Sequence, residues 1–419
     1  MNATPIELVA TVLFALAVAH TFSTKYFQRL ADRQPAHSGI WHLLAEVEIV
    51  FGAWAMLFIV VMMVLAGPSA ATGYVESRNF TEPMFVFAIM VIAGTRPVLW
   101  LATRMVDGLA RLLPWRNGLE FCFSVLALVP LLGSFITEPA AMTLAAMLLA
   151  RRVYAVGIST RAKYALLGTL FVNVSIGGVL TPFAAPPVLM VAAKWNWDFA
   201  FMLTQFGWKA ALAVVVNAAV VVFVFRKELG TLKIGEAGTP TDAMPAWVVV
   251  LHVLFLVGVV VFAHHPPMFM GIFLLFMGIA TAYKRYQDRL ILREGLLVAF
   301  FLAGLVVLGG KQQWWLEPLL MGMSSDAVFF GAAALTAITD NAALTYLGSL
   351  VEGLSQEFKY MLVAGAVAGG GLTVIANAPN PAGMSIVRRH FDHASVHPLG
   401  LLLAALPPTL VAIVALRWL

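Results

Sequence analysis

The sequence predicts an all-α polytopic membrane protein, an inverted-topology repeat with about ten transmembrane helices, two re-entrant hairpins and two broken helices. Hydrophobic residues make up 61% of the 419 residues and charged residues 11%, whereas soluble domains carry about 25% charge. Apolar runs close to the ~20 residues that span a bilayer recur along the whole chain. Two similar phrases, ITEPAAMTLA at 136–145 and ITDNAALTYL at 338–347, place acids in apolar surroundings. The composition therefore indicates the membrane class, and the phrases indicate a repeat.

Composition also excludes several other classes of protein. The net charge of +5 could suggest a nucleic-acid partner, but in so apolar a chain an excess of Lys and Arg is a topology signal, and we predict no nucleic-acid binding. The single cysteine, Cys122, excludes an internal disulfide, a CxxC centre and a cysteine zinc site. The first apolar segment carries Glu7 without a basic leader, which predicts a retained first helix rather than a cleaved signal.

Clusters of basic residues predict how the chain threads through the bilayer, because cytoplasmic loops carry an excess of Lys and Arg. Four intervals between such clusters each hold two apolar spans: 34–103, 164–225, 234–283 and 294–387. With the clusters on the cytoplasmic side of a bacterial inner membrane, both termini lie outside. The clusters are Lys25, Arg29 and Arg33; Arg104, Arg111 and Arg116; Arg151, Arg152, Arg161 and Lys163; Arg226, Lys227 and Lys233; Lys284, Arg285, Arg289 and Arg293; and Arg388 and Arg389.

Two segments are too short to cross the membrane twice. About 34 residues separate Arg116 from Arg151, and two spans would need about 40 apolar residues plus a turn. We therefore predict a re-entrant hairpin over about 118–150, and a second one, entering from the opposite side, over about 325–351. Hairpins that enter from opposite sides are typical of inverted repeats in secondary transporters. The first repeat is predicted at 1–230, with scaffold helices, and the second at 231–419.

Each predicted hairpin is followed by an apolar segment that contains helix breakers. NVSIGGVLTPFAAPPV (173–188) lies in the first, over about 164–193, and AGGGLTVIANAPNPA (368–382) in the second, over about 360–387. Proline cannot donate a helical hydrogen bond, and glycine makes unwinding easier. Both segments are therefore predicted to be spanning helices broken near the middle, where non-helical backbone must be buried in protein or line a wet cavity.

The hairpin tips and the broken helices would meet near the middle of the membrane, where free carbonyls bind cations and helix N-termini attract anions. The tips carry Glu138 and Asp340. An unpartnered ionised carboxylate at that depth costs at least ~2.5–3.5 kcal/mol, so it should be paired, protonated or bound to a cation. Neutral oxygens suited to a hard cation come from Thr137, Thr339, Asn341, Asn377, Thr181 and Thr373.

The same acids have a structural alternative. Asp and Asn favour helix N-caps, and Pro139 is well placed in a first helical turn. Among the other charged residues, Arg96 and Lys209 are candidate partners of the site acids or members of structural ion pairs. The group His390, His393 and His397 has metal-like spacing but lies in a predicted cytoplasmic loop beside arginines, which favours a solvated loop.

Three stretches resemble the ion transporter superfamily: GGVLTPFAAPPVLM (177–190), TDNAALTYLGSLV (339–351) and GGGLTVIANAPNPAG (369–383). Within it, they are most similar to NhaD-type sodium/proton antiporters and to the arsenite-pump membrane subunit. The resemblance implies a homodimer with scaffold and transport parts, and an elevator-like movement of the transport part. By position, it implies a site at Thr137, Glu138, Asn173, Thr181, Asp340, Asn341, Thr373 and Asn377.

The chain also departs from relatives within that superfamily. Carboxylate carriers have Ser-Asn-Thr at both tips, and its absence here argues against a dicarboxylate substrate. The first tip reads Glu-Pro, and Val188 follows Pro187 where an asparagine is common. The two halves are therefore predicted to be similar in architecture and different in chemistry.

Together these observations predict a secondary transporter, not an enzyme, that exchanges Na⁺ or another monovalent cation for H⁺ and has no resident cofactor. Asp340 is predicted as the primary carboxylate and Glu138 as its counterpart. One alternative is an anion or organic-acid transporter of the same fold that uses Arg96 or Lys209. A remote alternative is an intramembrane metalloenzyme built on the histidine loop, which the lack of an HExxH helix disfavours. A receptor or scaffold would not require two opposed hairpins.

Overall fold

The structure is a computed structural model that describes residues 3–115, 118–232 and 244–419. Every regular element in those ranges is helical, which confirms the predicted all-α class. The α-helices in chain order are α1 Pro5–Thr21, α2 Thr24–Arg33, α3 Ser38–Leu44, α4 Val47–Ala66, α5 Pro68–Glu76, α6 Thr81–Ala93, α7 Arg96–Leu112, α8 Leu119–Ile136, α9 Glu138–Arg152, α10 Thr160–Gly177, α11 Pro186–Trp195, α12 Phe199–Met202, α13 Trp208–Val224, α14 Arg226–Leu229, α15 Ala246–Val261, α16 Pro266–Ala282, α17 Leu292–Gly309, α18 Gln313–Met321, α19 Ser325–Thr336, α20 Asn341–Ser349, α21 Gln356–Gly369, α22 Asn380–Val387 and α23 Pro398–Trp418.

Seven helical stretches of the described chain are long and apolar enough to cross a membrane, judged by length and composition alone. The number rises to as many as nine if each of two bent helix pairs counts as one span, one of them α6 with α7 at a bend of 67°. The sequence predicted ten spans and two hairpins. Part of the difference lies in α15 and α16, apolar helices of 16 and 17 residues, which are shorter than a usual span. Arg116 and Lys233, assigned above to basic clusters, lie outside the described residues.

One compact unit comprises Met1–Phe87, Leu292–Ser324 and Tyr346–Ser355. Its helices α4 and α17 approach closely where Gly304 lies, since a Cβ at that position would come 2.3 Å from the carbonyl carbon of Phe51. Beside one end of this helix pair, Arg293 and Glu46 form an ion pair of 2.5 Å. None of the predicted ion-site residues belongs to this unit.

The other compact unit comprises Ala88–Ile291, Ser325–Thr345 and Gln356–Leu419. Within it, α10 packs against α8, α13 and α23. Helices α8 and α9 meet at Thr137 and pack along each other, and a Cβ on Gly133 would lie 3.2 Å from the Cβ of Ala141. Helix α19 packs on α21 so tightly that a Cβ on Gly365 would lie 2.2 Å from the carbonyl oxygen of Phe329. All of the predicted site residues lie in this unit.

Two of these helical segments are interrupted by non-helical backbone. Helix α10 ends at Gly177, a 3₁₀ turn covers Gly178–Leu180, and α11 begins at Pro186. In the second half, α21 ends at Gly369 and α22 begins at Asn380, with bends and turns between them. A proline lies in the first turn of both α11 and α22, where the missing N–H costs no helical hydrogen bond. The interruptions leave several backbone groups without helical partners, and nearby side chains bond to some of them.

Candidate functional site

The first acidic tip carries a fully buried carboxylate. Helix α8 ends at Ile136, and Thr137 turns the chain at φ 74°, so that α9 begins at Glu138. A positive φ is strained for a β-branched residue and is tolerated where the surroundings impose it. Glu138 is 0% exposed, and its Oε2 accepts a hydrogen bond of 2.7 Å from the Nδ2 of Asn377. The tip of the first half is thereby joined to the interrupted segment of the second half.

The other oxygen of Glu138 lies against backbone. A Cβ added to Gly178 would come 2.4 Å from Glu138 Oε1 and 2.7 Å from its Cγ, so only glycine leaves room for the carboxyl group. Among the described residues, this buried Oε1 has no hydrogen-bond partner. The carboxylate therefore has one amide donor and one open oxygen.

Ser134 joins the first tip to the interruption that follows α10. Its hydroxyl donates to the carbonyl of Gly177 at 2.7 Å and accepts from the N–H of Leu180 at 2.9 Å. The hydroxyl of Thr181 in turn donates to the Ser134 carbonyl at 2.6 Å. These bonds occupy backbone groups that the end of a helix leaves unpaired. Sequence reasoning did not select Ser134, although a serine three residues before a tip threonine was a usable signal.

The second tip is built differently. Asp340 Oδ1 accepts from the backbone N–H groups of Ala342 at 2.8 Å and Ala343 at 3.2 Å, which is N-cap geometry for α20. Asp340 is only partly buried. Its carboxylate is close enough to that of Glu138 for the two to interact electrostatically. The hydroxyl of Thr339 donates to the carbonyl of Leu335 at 2.9 Å. The structural alternative weighed for the two acids thus describes Asp340 and not Glu138.

The second tip and its interrupted segment are held by bonds like those of the first. Thr373 donates to the carbonyl of Ala337 at 2.8 Å, as Thr181 does to Ser134. The backbone N–H of Asn341 donates to the carbonyl of Ala376 at 3.1 Å. In each interrupted segment a leucine is followed by a threonine, Thr181 or Thr373. The hydroxyl of this threonine links the interruption to the preceding tip by a hydrogen bond.

Three buried asparagines line this region of the second half: Asn341, Asn377 and Asn380, each at most 1% exposed. Asn380 Nδ2 donates to the carbonyls of Gly370 and Thr373 at 2.8 Å each. Asn380 was not predicted, although it is the second asparagine of the NAPN sequence. Among the predicted site residues and Asn380, the buried polar atoms without a hydrogen-bond partner in the described chain are Thr137 Oγ1, Glu138 Oε1, Asn341 Oδ1 and Nδ2, Asn377 Oδ1 and Asn380 Oδ1.

Nearly the whole chain matches one family of known proteins. Residues 5–419 match the model of the family described as "Putative Na+/H+ antiporter". The chain belongs to this family. Membership confirms the predicted transporter class, with cation and proton as the implied substrates and no resident cofactor, and it excludes the metalloenzyme alternative. The narrower resemblance to NhaD-type and arsenite-pump proteins stays a prediction.

Comparisons with curated proteins and with solved structures give less information about function. No curated protein matches the chain. Among solved structures, the chain is similar to the YdaH transporter of Alcanivorax borkumensis, with 14% identity and a TM-score of 0.46. The match covers 88% of this chain and 96% of that one.

Asn173 of this antiporter-family chain, predicted as a site residue, bonds to two neighbouring helices. Its Nδ2 donates to the carbonyls of Leu126 at 2.9 Å and Val214 at 3.1 Å, and its Oδ1 accepts from Asn217 at 2.9 Å. The carbonyl of Leu126 needs a donor because Pro130, four residues on in α8, has no N–H. Asn173 therefore connects α8, α10 and α13, and its side-chain amide is used in that packing.

Replacing Asn173 with leucine is expected to destabilise the protein, because it leaves the Leu126 carbonyl and one of the two N–H donors of Asn217 unpaired, at about 1–3 kcal/mol for each buried group. The Asn217 amide keeps its bond to the Pro408 carbonyl. Thermal unfolding in detergent measures the loss, and Gln313→Leu, an exposed amide in α18, is the matched control. In a Pro130→Ala background the restored N–H can bond to Leu126, so the cost of Asn173→Leu should shrink. Equal costs in the two backgrounds would contradict this role for Asn173.

The predicted charge partner Lys209 bonds to a residue outside the two tips and the interrupted segments. Lys209, in the first turn of α13, donates to the hydroxyl of Tyr360 at 2.9 Å and lies 4.6 Å from the centre of its ring. Arg96 begins α7 at the bend between α6 and α7.

The histidine loop shows no metal-binding geometry in the described chain. No group of three or more His, Cys, Asp or Glu residues there could hold a metal ion. Burial, followed by the nearby charges of Arg389 and Lys163, lowers the pKa of His390, and its Nε2 accepts from Arg389 at 3.3 Å. The side chain of His393 lies outside the described part.

Proposed function

We propose that this chain exchanges Na⁺, or another monovalent cation, for H⁺, and that the two ions compete for the carboxylate of Glu138. The observation that carries the proposal is a fully buried carboxylate with one amide donor and one open oxygen. A buried charge needs an opposite charge or a proton, because its transfer from water costs several kcal/mol. The amide of Asn377 supplies a hydrogen bond and no charge. Either a proton or a cation must therefore neutralise Glu138, and the arrival of one displaces the other.

The unpartnered buried atoms of the two tips and of Asn377 and Asn380 favour a cation over an anion. In the described chain they are five oxygens and one amide nitrogen. Oxygen atoms of carboxylate, amide and hydroxyl groups are the ligands that hard cations prefer. An anion would instead need donors or a positive charge, and the hydrogen bond of Lys209 runs to Tyr360 rather than to the tips or the interrupted segments. These observations count against the anion-transporter alternative.

The paired bonds of the two halves support the proposed inverted repeat. Thr181 and Thr373 each donate to a carbonyl just before an acidic tip, as expected if the halves descend from one architecture. We propose that the tips at Glu138 and Asp340 enter from opposite membrane faces, with both termini outside. Alternating exposure of one site by an elevator-like movement, in a homodimer, follows from the family resemblance and remains part of this proposal.

Reconstitution in lipid vesicles loaded with a pH-sensitive dye tests the proposed exchange. An imposed proton gradient should collapse on addition of Na⁺ or Li⁺ and should persist with choline, since choline cannot fit an oxygen cage built for a small ion. Fluorescence recovery that depends on Na⁺ or Li⁺ at some pH between roughly 6 and 9, the range a tuned carboxylate can reach, supports the proposal. Absence of such recovery over the whole range would refute it, and uptake of labelled anions would favour the alternative.

Asp340 provides a second prediction. Asp340→Asn keeps an N-cap side chain and removes the charge, so exchange should persist while the apparent Na⁺ affinity falls by roughly tenfold, because one nearby negative charge is lost. Asp340→Ala should in addition lower stability by about 1 kcal/mol, as a lost cap does. Initial exchange rates against Na⁺ concentration, with thermal unfolding of each variant, measure both effects. Complete loss of exchange in Asp340→Asn would transfer the primary role from Glu138 to Asp340.

A further inference from the structure

A second cluster of interest lies in the same compact unit, in the region where α11 ends and α21 begins. Four aromatic rings follow one another there: Trp195 to Trp197 at 5.0 Å between ring centres, Trp197 to Phe206 at 5.5 Å, and Phe206 to Tyr360 at 4.5 Å. We call these four residues the aromatic cluster. Three of them are buried, at 7% exposure or less, and Tyr360 is partly buried. The cluster takes no part in the proposed exchange.

An ammonium group lies at each end of the aromatic cluster. Lys209 Nζ contacts the Tyr360 hydroxyl at 2.9 Å and the face of its ring. Lys359 Nζ lies 5.7 Å from the centre of a Trp195 ring. The face of an aromatic ring attracts a cation without neutralising it. In the described chain, neither lysine forms an ion pair, so two positive charges remain without a counter-ion.

The aromatic cluster also holds an unused hydrogen-bond donor. Trp197 is 4% exposed, and its Nε1–H has no acceptor within the described chain. An indole N–H can only donate, and a buried donor without an acceptor costs about 1–3 kcal/mol. The Tyr360 hydroxyl is already used, since it donates to the carbonyl of Leu416 at 2.7 Å. Two ammonium groups and one buried indole N–H are donors that suit an acceptor with negative charge.

The surface beside the aromatic cluster is apolar and exposed. A short π-helix, Leu203–Gly207, precedes α13, and π-bulges of this kind occur frequently at functional sites. Leu203, Trp208 and Leu212 are 42%, 48% and 44% exposed, on the segment that also carries Lys209. Trp, Tyr and Lys together beside an apolar surface are typical of the membrane–water interface. A ligand at the cluster would therefore have its charged part beside the lysines and apolar surface next to it.

We propose that the aromatic cluster and its two lysines bind the phosphate of an anionic phospholipid headgroup, with the acyl chains along the exposed apolar residues of the π-helix and α13. The charge complementarity comes from Lys209 and Lys359, and the indole N–H of Trp197 supplies a hydrogen bond. The exposed apolar flank selects a lipid over a soluble phosphate compound. This site does not depend on the proposed cation exchange.

Thermal unfolding of the purified full chain, titrated with phosphatidylglycerol or phosphatidylcholine in matched detergent micelles, tests the proposal. Phosphatidylglycerol should raise the melting temperature more than phosphatidylcholine at equal mole fraction, since binding to the native state stabilises it.

Lys209→Met with Lys359→Met should weaken the apparent affinity for phosphatidylglycerol about 30-fold, as expected for the loss of two interfacial lysines. Lys209→Arg with Lys359→Arg should keep most of that affinity, because both charges remain. Trp197→Phe should weaken it several-fold, as the loss of one charge-assisted hydrogen bond does.

Lys311→Met is the matched control, because Lys311 also lies over a tyrosine ring, 5.0 Å from the centre of Tyr74, but has the carboxylate of Glu7 nearby. It should leave the preference for phosphatidylglycerol unchanged. Equal stabilisation by the two lipids, or an unchanged preference in the double methionine variant, would overturn the proposal. Equal stabilisation by glycerol 1-phosphate without acyl chains would also overturn it. Glu138→Gln should retain the lipid effect, which separates this test from that of the exchange.

Discussion

Glu138→Gln is expected to reduce Na⁺-dependent exchange to the background of protein-free vesicles. The substitution keeps the length of the side chain and an oxygen that can accept from Asn377 Nδ2, whose bond to Glu138 is 2.7 Å long. It removes the group that can hold either a proton or a cation. Folding should survive, because a neutral amide is less costly than a carboxylate in a fully buried position. A loss of exchange in a folded Glu138→Gln protein would therefore be due to the missing carboxylate and not to unfolding.

A binding measurement and a control variant test whether Glu138 binds the cation. Na⁺ should raise the melting temperature of the wild-type protein, as any ligand that binds only the native state does, and this dependence should vanish in Glu138→Gln. Glu120→Gln is the matched control: it makes the same chemical change in the first turn of α8, away from the tip, and should keep both exchange and the Na⁺ effect. Persistent exchange in Glu138→Gln would exclude this residue as the shared carboxylate.

The choice between the two acids shows what local sequence can and cannot predict. Both acids follow Ile-Thr and precede Ala-Ala one residue later, so the pattern treats them alike. Their surroundings differ because Gly178 and Asn377, remote in sequence, lie next to Glu138, whereas Asp340 bonds to N–H groups two and three residues ahead of it. The first difference is tertiary and invisible to the pattern, while the second is an N-cap that the sequence did suggest.

The interruptions of the two helices could be predicted from the sequence, because the residues that cause them lie within the same segment. Glycine pairs and prolines weaken an α-helix wherever it lies. In both segments the first α-helix ends at the glycines, and the next one begins with a proline in its first turn. The use of each polar group was less accessible. Thr181 and Thr373 were predicted as cation ligands, yet their hydroxyl protons are used in bonds to tip carbonyls. Asn173 bonds to a carbonyl that Pro130 leaves free, and that pairing depends on how α8 and α10 pack.

The two halves supply different chemistry to one site. When the Leu-Thr pairs of the interrupted segments are aligned, Asn377 corresponds to Ala185, and Asn380 to Val188. At the tips, Asn341 corresponds to Pro139. The first half thus contributes the buried acid, and the second half contributes three amides, one of which bonds to that acid. In the proposed exchange, an ion at Glu138 would therefore depend on residues from both halves.

Gly178→Ala is expected to lower the apparent Na⁺ affinity strongly. The new Cβ would lie 2.4 Å from Glu138 Oε1 and 2.9 Å from its Cδ, far inside van der Waals contact. The carboxyl group must move, so both the bond to Asn377 and the position of the open oxygen change. We expect the apparent Na⁺ affinity to fall by roughly tenfold or more, with exchange recoverable only in part at high Na⁺.

Gly278→Ala is the control for Gly178→Ala, because a Cβ at Gly278, in the interior of the apolar helix α16, meets no atom within 4 Å. It should leave exchange unchanged and stabilise the helix slightly, by up to about 1 kcal/mol. Exchange rates against Na⁺ concentration for both variants, with melting temperatures, distinguish a displaced carboxylate from general damage. If Gly178→Ala kept wild-type Na⁺ affinity, the cation could not bind at the open oxygen of Glu138, because that oxygen cannot stay in place beside the added methyl group.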